Sequence, residues 1–463
     1  MAEKERQRND SQETNAPEGQ HALIGVADSA TTDDGFMRND HPDALWFGQA
    51  ALGLFVHFGI SAVHGDIDLS WGMLYGKPWE MKLGLEKSIP PRQYFALAER
   101  FRPERFEPER WLAAAAEAGC QYAVFTARHH DGFAMWPSRH GGFNTGTHGD
   151  GSDYVRRFVD ACRRTGLRVG LYFSPPDWHF NALYMSFHYG SGEDNGAIKF
   201  PGRAHFGLDH EPIALPAKPA DWQQRYEAYV RAQLTELLTD YGRVDLLWFD
   251  GGRDLAGAMS VAEIRQMQPA IVINGRMHGT GDFDTFECRL PTARPDGWWE
   301  HCDIWPEGPW WGDVASSAGY RPAAWMLATL SRVRADGGSF LVNVGPRADG
   351  ELPQAAYDRL AEVKSWMAHS GEAIFGAEPG DGSVTSQAPL TRKGDTWYAH
   401  VPPDMELPLA VELAGGRTLV EAWLLRDGMR LPCVNRGGGG RWTIEGMDGK
   451  RSGLVDIVAF RFG

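Results

Sequence analysis

The stretch FTARHHDGFAMW, residues 125–136, ends a short apolar run with two adjacent histidines and an aspartate, and glycine follows at once. Three chemistries use such residues: metal ligation, acid–base catalysis, and a hydrogen-bonding wall for a polar ligand. The metal reading is weak. Adjacent histidines on a strand point to opposite faces, the spacing is neither HxH nor HExxH, and Arg128 beside them opposes a cation. Neutral imidazoles both donate and accept, which suits sugar hydroxyls. The plainer alternative is one buried, satisfied histidine and one at the surface.

Other apolar runs end in the same way. GLFVH ends at His57, and YAVFTARHHD leads into Arg128, His129, His130 and Asp131. GLYFS carries Tyr172 and is followed by Asp177 and Trp178. LLWFDGG ends at Asp250, IVINGR at Asn274 and Arg276, FDTFE at Glu287, and FLVNVG at Asn343. A single polar residue there is an ordinary strand cap, but seven runs ending so point to a common site. Asp250 is the sharpest: it follows an apolar strand beside Trp248, and Gly251 and Gly252 let the chain turn tightly. Its alternative is an N-cap for the next helix. Glu287 is the natural second carboxylate, since two carboxylic acids flanking one bond, one ionised and one protonated, are what glycoside hydrolysis requires. Glu300, in GWWEHC, competes for that place; otherwise it is a structural glutamate packed among aromatics.

Positioning these residues takes a scaffold. From residue 50 onward, short apolar runs alternate with amphipathic helices such as PERWLAAAAEAGC, SDYVRRFVDACRRTG and DWQQRYEAYVRAQLTELLTDYG. An insertion over about 179–219 is rich in Gly, His and Pro. No GxGxxG follows the first strand, so a dinucleotide-binding sheet is disfavoured. The alternation predicts an α/β fold, a (β/α)8-like barrel over 37–376, with active residues at the carboxyl ends of its strands. Beyond HSGEAIFG, short alternating segments broken by glycines predict a small antiparallel β-sandwich over 377–463. Residues 1–36 are polar and charged and read as a disordered tail.

The 463 residues carry a net charge of −15 with no basic stretch, which argues against a nucleic-acid partner. No apolar run approaches a membrane span, and no signal peptide is visible at the amino terminus. Cys120, Cys162, Cys288, Cys302 and Cys433 are odd in number and without CxxC pairing, so a reduced, cytoplasmic setting is expected. A homo-oligomer is left open.

GLFVHFGISAV, RHHDGFAMWPS, GLYFSPPDWH, LLWFDGG, NGR, WWEHC, GGSFLVNVGPRADGELP and SGEAIFG, in this order over residues 44–376, resemble the retaining α-L-fucosidases of glycoside hydrolase family 29. The resemblance implies a catalytic (β/α)8-like barrel with a C-terminal β-sandwich, a fucosylated carbohydrate as partner, no metal and no cofactor. It implies Asp250 as nucleophile and Glu287 as general acid/base, the latter through the DFDTFE stretch. His57, His129, His130, Tyr172, Trp248 and Arg276 match the family's sugar-binding positions. Three departures stand out: Arg128 replaces a lysine before HHDGF, Gly275 replaces the aspartate of NDR, and DLSWGM replaces an EWY segment, with Trp71 standing in. The expectation is a retaining exo-glycosidase for terminal α-L-fucosyl residues. A related α-L-glycosidase such as an α-L-galactosidase, a metal-dependent barrel hydrolase and a non-catalytic carbohydrate-binding relative are the alternatives.

Overall fold

The apolar runs of the first three quarters of the chain supply most of eight parallel strands, whose residues are mostly buried on both faces, as in strands covered by crossover helices. The computed structural model describes residues 17–27, 38–84, 87–191, 202–308, 310–312, 319–437 and 440–463. Its barrel strands are β1 (Leu52–Val56), β2 (Tyr122–Arg128), β3 (Arg168–Phe173), β6 (Leu246–Phe249), β7 (Val272–Ile273), β8 (Phe283–Glu287), β9 (Trp298–Ile304) and β10 (Ser339–Val344); β4 (His205–Phe206) and β5 (Pro212–Ile213) form a hairpin in the insertion. The sheet order is β7-β6-β3-β2-β1-β10-β9-β8. A single parallel bridge, Asn274 with Phe283, joins its two edges and nearly closes the barrel.

The helices form where the sequence signals them. Pro108–Glu117 starts on a proline at its first position and buries Trp111, Leu112 and Ala115. Tyr154–Thr165 is capped by the Asp153 carboxylate, which accepts from the Arg156 amide, and stops at Gly166 in a left-handed conformation. Trp222–Thr239 turns Tyr226, Val230, Leu234, Leu237 and Leu238 inward. None of the helices among the described residues is long and apolar enough to cross a membrane.

Strand β9 was not foreseen. Its sequence, WWEHCDI, interleaves Glu300, His301 and Asp303 with apolar residues, which hides a strand that is almost wholly buried. Each polar group is answered inside: Glu300 by Tyr122 and Trp248, His301 Nδ1 by the Phe286 carbonyl, and Asp303 by Arg321.

The C-terminal segments form two antiparallel sheets, of five and four strands, around a core that includes Trp397, Leu409, Val411, Leu424, Ile444 and Phe460. In Leu409–Leu413 buried and exposed residues alternate strictly, the period of a half-covered strand. Short strands at Glu378–Pro379, Val384–Ser386, Leu390–Lys393 and Cys433–Asn435 add to those read from the sequence. The β-domain is fastened to the barrel by polar contacts: Trp366 Nε1 donates to the Val455 carbonyl at 2.7 Å, and Thr391 Oγ1 to the Ala373 carbonyl at 2.8 Å.

The amino terminus corrects the expectation of a disordered tail over 1–36. Residues 17–27 are ordered, and Pro17–Ile24 is a helix. The rest of that stretch lies outside the described residues. Order here comes from tertiary contact: Ile24 is buried, the Gly252 amide donates to the Ile24 carbonyl at 2.8 Å, and the Arg253 amide donates to the Gly25 carbonyl at 2.8 Å.

Candidate active site

Polar side chains from six strand ends converge at the carboxyl-terminal mouth of the barrel, where this architecture places its chemistry. His57, Trp71, His129, His130, Tyr172, Trp248, Asp250, Arg276 and Glu287 all line one pocket there. Asp250 follows β6 directly. Gly251 and Gly252 have φ of 77° and 85°, and a side chain on Gly251 would strike the Ile24 carbonyl, so glycine is required for the turn. The carboxylate caps no helix; the short turn Arg253–Ala258 starts at Gly252 without a side-chain cap. Asp250 Oδ2 accepts from the Tyr172 hydroxyl at 2.7 Å, and Oδ1 accepts from Arg276 Nη1 at 2.6 Å. Burial and the adjacent Asp250 push the Tyr172 phenol far up, so it stays a donor.

Arg276 ties the two acids together. Its Nη2 donates to Glu287 Oε2 at 2.5 Å while Nη1 holds Asp250, and its guanidinium lies 4.6 Å from the centre of the Trp248 ring. Glu287 Oε2 also lies 3.0 Å from His21 Nε2, on the amino-terminal helix. Burial alone would raise the Glu287 carboxyl, but Arg276 and His21 outweigh it and hold the group well below the usual carboxylate range.

The histidines form the opposite wall. β2 ends at Arg128, so His129 and His130 lie beyond the strand and escape its alternation. Their rings approach to 4.2 Å and both face the pocket, which corrects the expectation that neighbours would point apart. His57 Nδ1 lies 2.7 Å from Asn343 Oδ1. The Asn343 amide nitrogen is committed to the Trp311 carbonyl, so Oδ1 must accept from His57 and His57 Nε2 is an acceptor. His130 is arranged alike: Ser174 Oγ donates to the Pro176 carbonyl and so accepts from His130 Nδ1 at 2.6 Å. His130 Nε2 is then an acceptor with no hydrogen-bond partner, 3.5 Å from Asp250 Oδ2. Burial lowers His57 to about 4 and His130 to about 3, and lowers His129 well below its ordinary value, so all three are neutral. A buried acceptor without a donor is costly, by roughly 1–3 kcal/mol, and a sugar hydroxyl answers it.

His129, His130 and Asp250 also place ligand atoms within 4.8 Å of one another. As a cation site this set is opposed by the Arg276 guanidinium, 2.6 Å from Asp250. The donors fit hydroxyls better than a divalent ion.

The remaining strand-end groups support the site and do not line it. Arg128 is bound to the Ser174 carbonyl and paired with Asp177. Asp131 accepts from Tyr94, and Asn274 clasps both backbone groups of Phe249. Trp178 stacks on His130.

Sequence reasoning missed Gln20, His21, Ile24, Asp68 and Trp311, which also line the pocket. Asp68 sits three residues before Trp71 in DLSWGM, and that proximity was the available signal. Burial raises its carboxyl to about 7 although it accepts from the Trp311 amide at 3.0 Å. His21 and its neighbours carried no signal, lying in a polar stretch with no periodicity.

Glu300 stands elsewhere. It pairs in register with Thr285 of β8, two residues below Glu287, and with Ser339 at the start of β10. It therefore lies in the barrel floor, where it accepts from Tyr122 at 2.6 Å and from Trp248 Nε1 at 2.9 Å. Burial lifts its carboxyl to about 7. In Glu300→Gln one of those two donors loses its acceptor, and we expect a stability loss of about 1–3 kcal/mol at pH 5. A raised native pKa means that the stabilisation from Glu300 is complete below its unfolded value and declines as pH rises through 7. The variant's deficit in thermal unfolding should therefore shrink between pH 5 and 8. A constant deficit would show that Glu300 does not titrate there.

The family model for Alpha-L-fucosidase matches residues 29–372. Human tissue alpha-L-fucosidase is 26% identical over 389 residues, covering 78% of this chain and 76% of that protein. Alpha-L-fucosidase isoenzyme 1 from Paenibacillus thiaminolyticus superposes with a TM-score of 0.74 at 27% identity, over 91% of this chain and 99% of that one. A family 29 alpha-L-fucosidase from Bacteroides thetaiotaomicron, solved as a trapped covalent intermediate with 2-fluoro-fucosyl fluoride, superposes at 0.72 with 22% identity, over 95% and 99%.

Proposed function

Since the chain belongs to the alpha-L-fucosidase family, glycoside hydrolase family 29, we propose that this glycoside hydrolase removes terminal α-L-fucosyl residues by double displacement, with Asp250 as nucleophile and Glu287 as general acid/base. The observation that carries the assignment is the single guanidinium of Arg276 gripping both carboxylates. It holds the two carboxylates side by side in one pocket and offsets the repulsion between them.

In the first step an Asp250 oxygen attacks the anomeric carbon. The carbon–oxygen bond to the leaving group breaks, and Glu287 protonates the departing oxygen. In the second step Glu287, now ionised, takes a proton from water as the water oxygen displaces Asp250 and restores its carboxylate. Tyr172 and Arg276 orient the Asp250 carboxylate in the pocket by one hydrogen bond to each oxygen. The low position of Glu287 makes its protonated form scarce near neutrality but strong as an acid. The acceptor nitrogens of His57 and His130 receive sugar hydroxyls. The faces of Trp71 and Trp248 offer apolar surface to the ring and to the 6-methyl group of a deoxy sugar.

The test is a panel of aryl α-L-glycosides run before and after exhaustive dialysis against EDTA. The α-L-fucoside should be the preferred substrate, with activity unchanged by dialysis. Preference for the α-L-galactoside would replace the sugar. Loss of activity restored by one divalent ion would turn the histidine wall into a metal site.

A further inference from the structure

The amino-terminal helix Pro17–Ile24 is built into the site. Its end is tied by backbone hydrogen bonds to the loop that follows Asp250, through the Ile24 and Gly25 carbonyls, and the Ala27 amide donates to the Arg276 carbonyl at 2.8 Å. One segment thus fastens the loops of the nucleophile and of the bridging arginine. Gln20, His21 and Ile24 face into the pocket. They do so on the side of Glu287, because His21 Nε2 lies 3.0 Å from Glu287 Oε2 and 3.3 Å from Arg276 Nη2. In a displacement the leaving group departs opposite the nucleophile and beside the acid, so a wall next to Glu287 meets the leaving group rather than the sugar.

We propose that the helix Pro17–Ile24 forms the leaving-group wall of the pocket and that His21 is a positioning residue, which holds Glu287 by Oε2 so that Oε1 is presented to the departing oxygen. The inference rests on the assignment of Glu287 as acid/base. His21 and Arg276 engage the same oxygen, which leaves the other one for proton transfer. The contact from His21 Nε2 also stabilises the carboxylate formed when Glu287 gives up its proton, which matters most when the leaving oxygen is strongly basic. The other charged or titratable groups around this pair include Arg276, Asp250, Tyr172, His57, His129, His130, Asp68 and Cys288, which line the same pocket, and Cys302 beside Glu287. His21 is partly exposed, with 26% of its side-chain surface accessible, so its replacement leaves the core intact.

The experiment compares His21→Ala and His21→Gln with the parent enzyme, using aryl α-L-fucosides of graded leaving-group acidity and one fucosyl disaccharide across pH. In His21→Ala the basic limb of kcat/KM should move up by about one pH unit, because a hydrogen-bond partner that holds the Glu287 carboxyl down is gone. Below that limb, the ratio of rates for good and poor leaving groups should widen about tenfold, because proton delivery is impaired. His21→Gln, which keeps a donor to Oε2, should recover the leaving-group ratio and part of the limb. An unmoved limb with all substrates slowed alike would reduce His21 to a structural contact and overturn the proposal. A uniform rise in kcat/KM would make the helix a plug and overturn it as well. Glu287→Ala serves as the control. If it lacks leaving-group dependence, the acid/base assignment itself fails; if it shows that dependence and the His21 variants do not, only the helix inference falls.

Discussion

Asp250→Ala is expected to lower kcat by roughly four orders of magnitude or more, the scale seen when a nucleophile is removed. The loss should be accompanied by intact folding, because Asp250 sits at the pocket surface and its neighbours keep other contacts: Arg276 remains bound to Glu287 and Thr285, and the Tyr172 ring remains stacked on His129 and Trp248. With the unaltered enzyme, proton NMR of the first product should show the α anomer before mutarotation, since two inversions give retention. Asp250→Gly opens a space where the carboxylate stood. Azide entering it attacks the anomeric carbon once and should yield the β-configured azide. First appearance of the β sugar from the unaltered enzyme would mean inversion, with Asp250 acting as base on a water.

Glu287→Ala carries the second large effect, and its size depends on the substrate. Fucosides with poor leaving groups should slow by about 10²- to 10⁴-fold, the usual worth of general acid catalysis. Aryl fucosides with acidic phenols need no proton and should keep their first step, so a covalent fucosyl-enzyme accumulates and steady turnover is set by its slow hydrolysis. Azide needs no general base, so it should accelerate that second step and give an azide of retained configuration. Glu300→Gln should show neither pattern, because Glu300 is bound to Tyr122 and Trp248 and does not line the pocket. Leaving-group dependence and azide rescue in a Glu300 variant, and not in Glu287→Ala, would exchange the two roles. A buried carboxyl lifted to about 7 looks by acidity alone like the better acid, which is why this comparison decides. Geometry disfavours Glu300, since it lies a layer below the pocket.

Much of the molecule was legible along the chain, for identifiable reasons. Strands such as GLFVH and LLWFD are local apolar runs, and helices such as Trp222–Thr239 carry their own periodicity. Strand β9 was not legible, because a buried strand that carries Glu300, His301 and Asp303 pairs its charges with residues from distant strands. The adjacent histidines were misread for a related reason. Alternation along a strand predicts side-chain direction only while the strand lasts, and β2 stops at Arg128.

The sequence by itself determined which residues stand at strand ends and therefore at the mouth of a parallel barrel: His57, His129, His130, Tyr172, Asp250, Arg276 and Glu287. Strand order and register decided the rest. Glu287 closes β8 at the mouth, while Glu300 sits early in β9, opposite Thr285 and over the barrel floor. Two glutamates thirteen positions apart thus differ in role because depth in a barrel is set by pairing between strands, which no local pattern encodes. His21 is the extreme case. It meets Glu287 across 266 positions, and the contact exists because backbone groups of one helix end bind the loops that the folded barrel brings to its mouth.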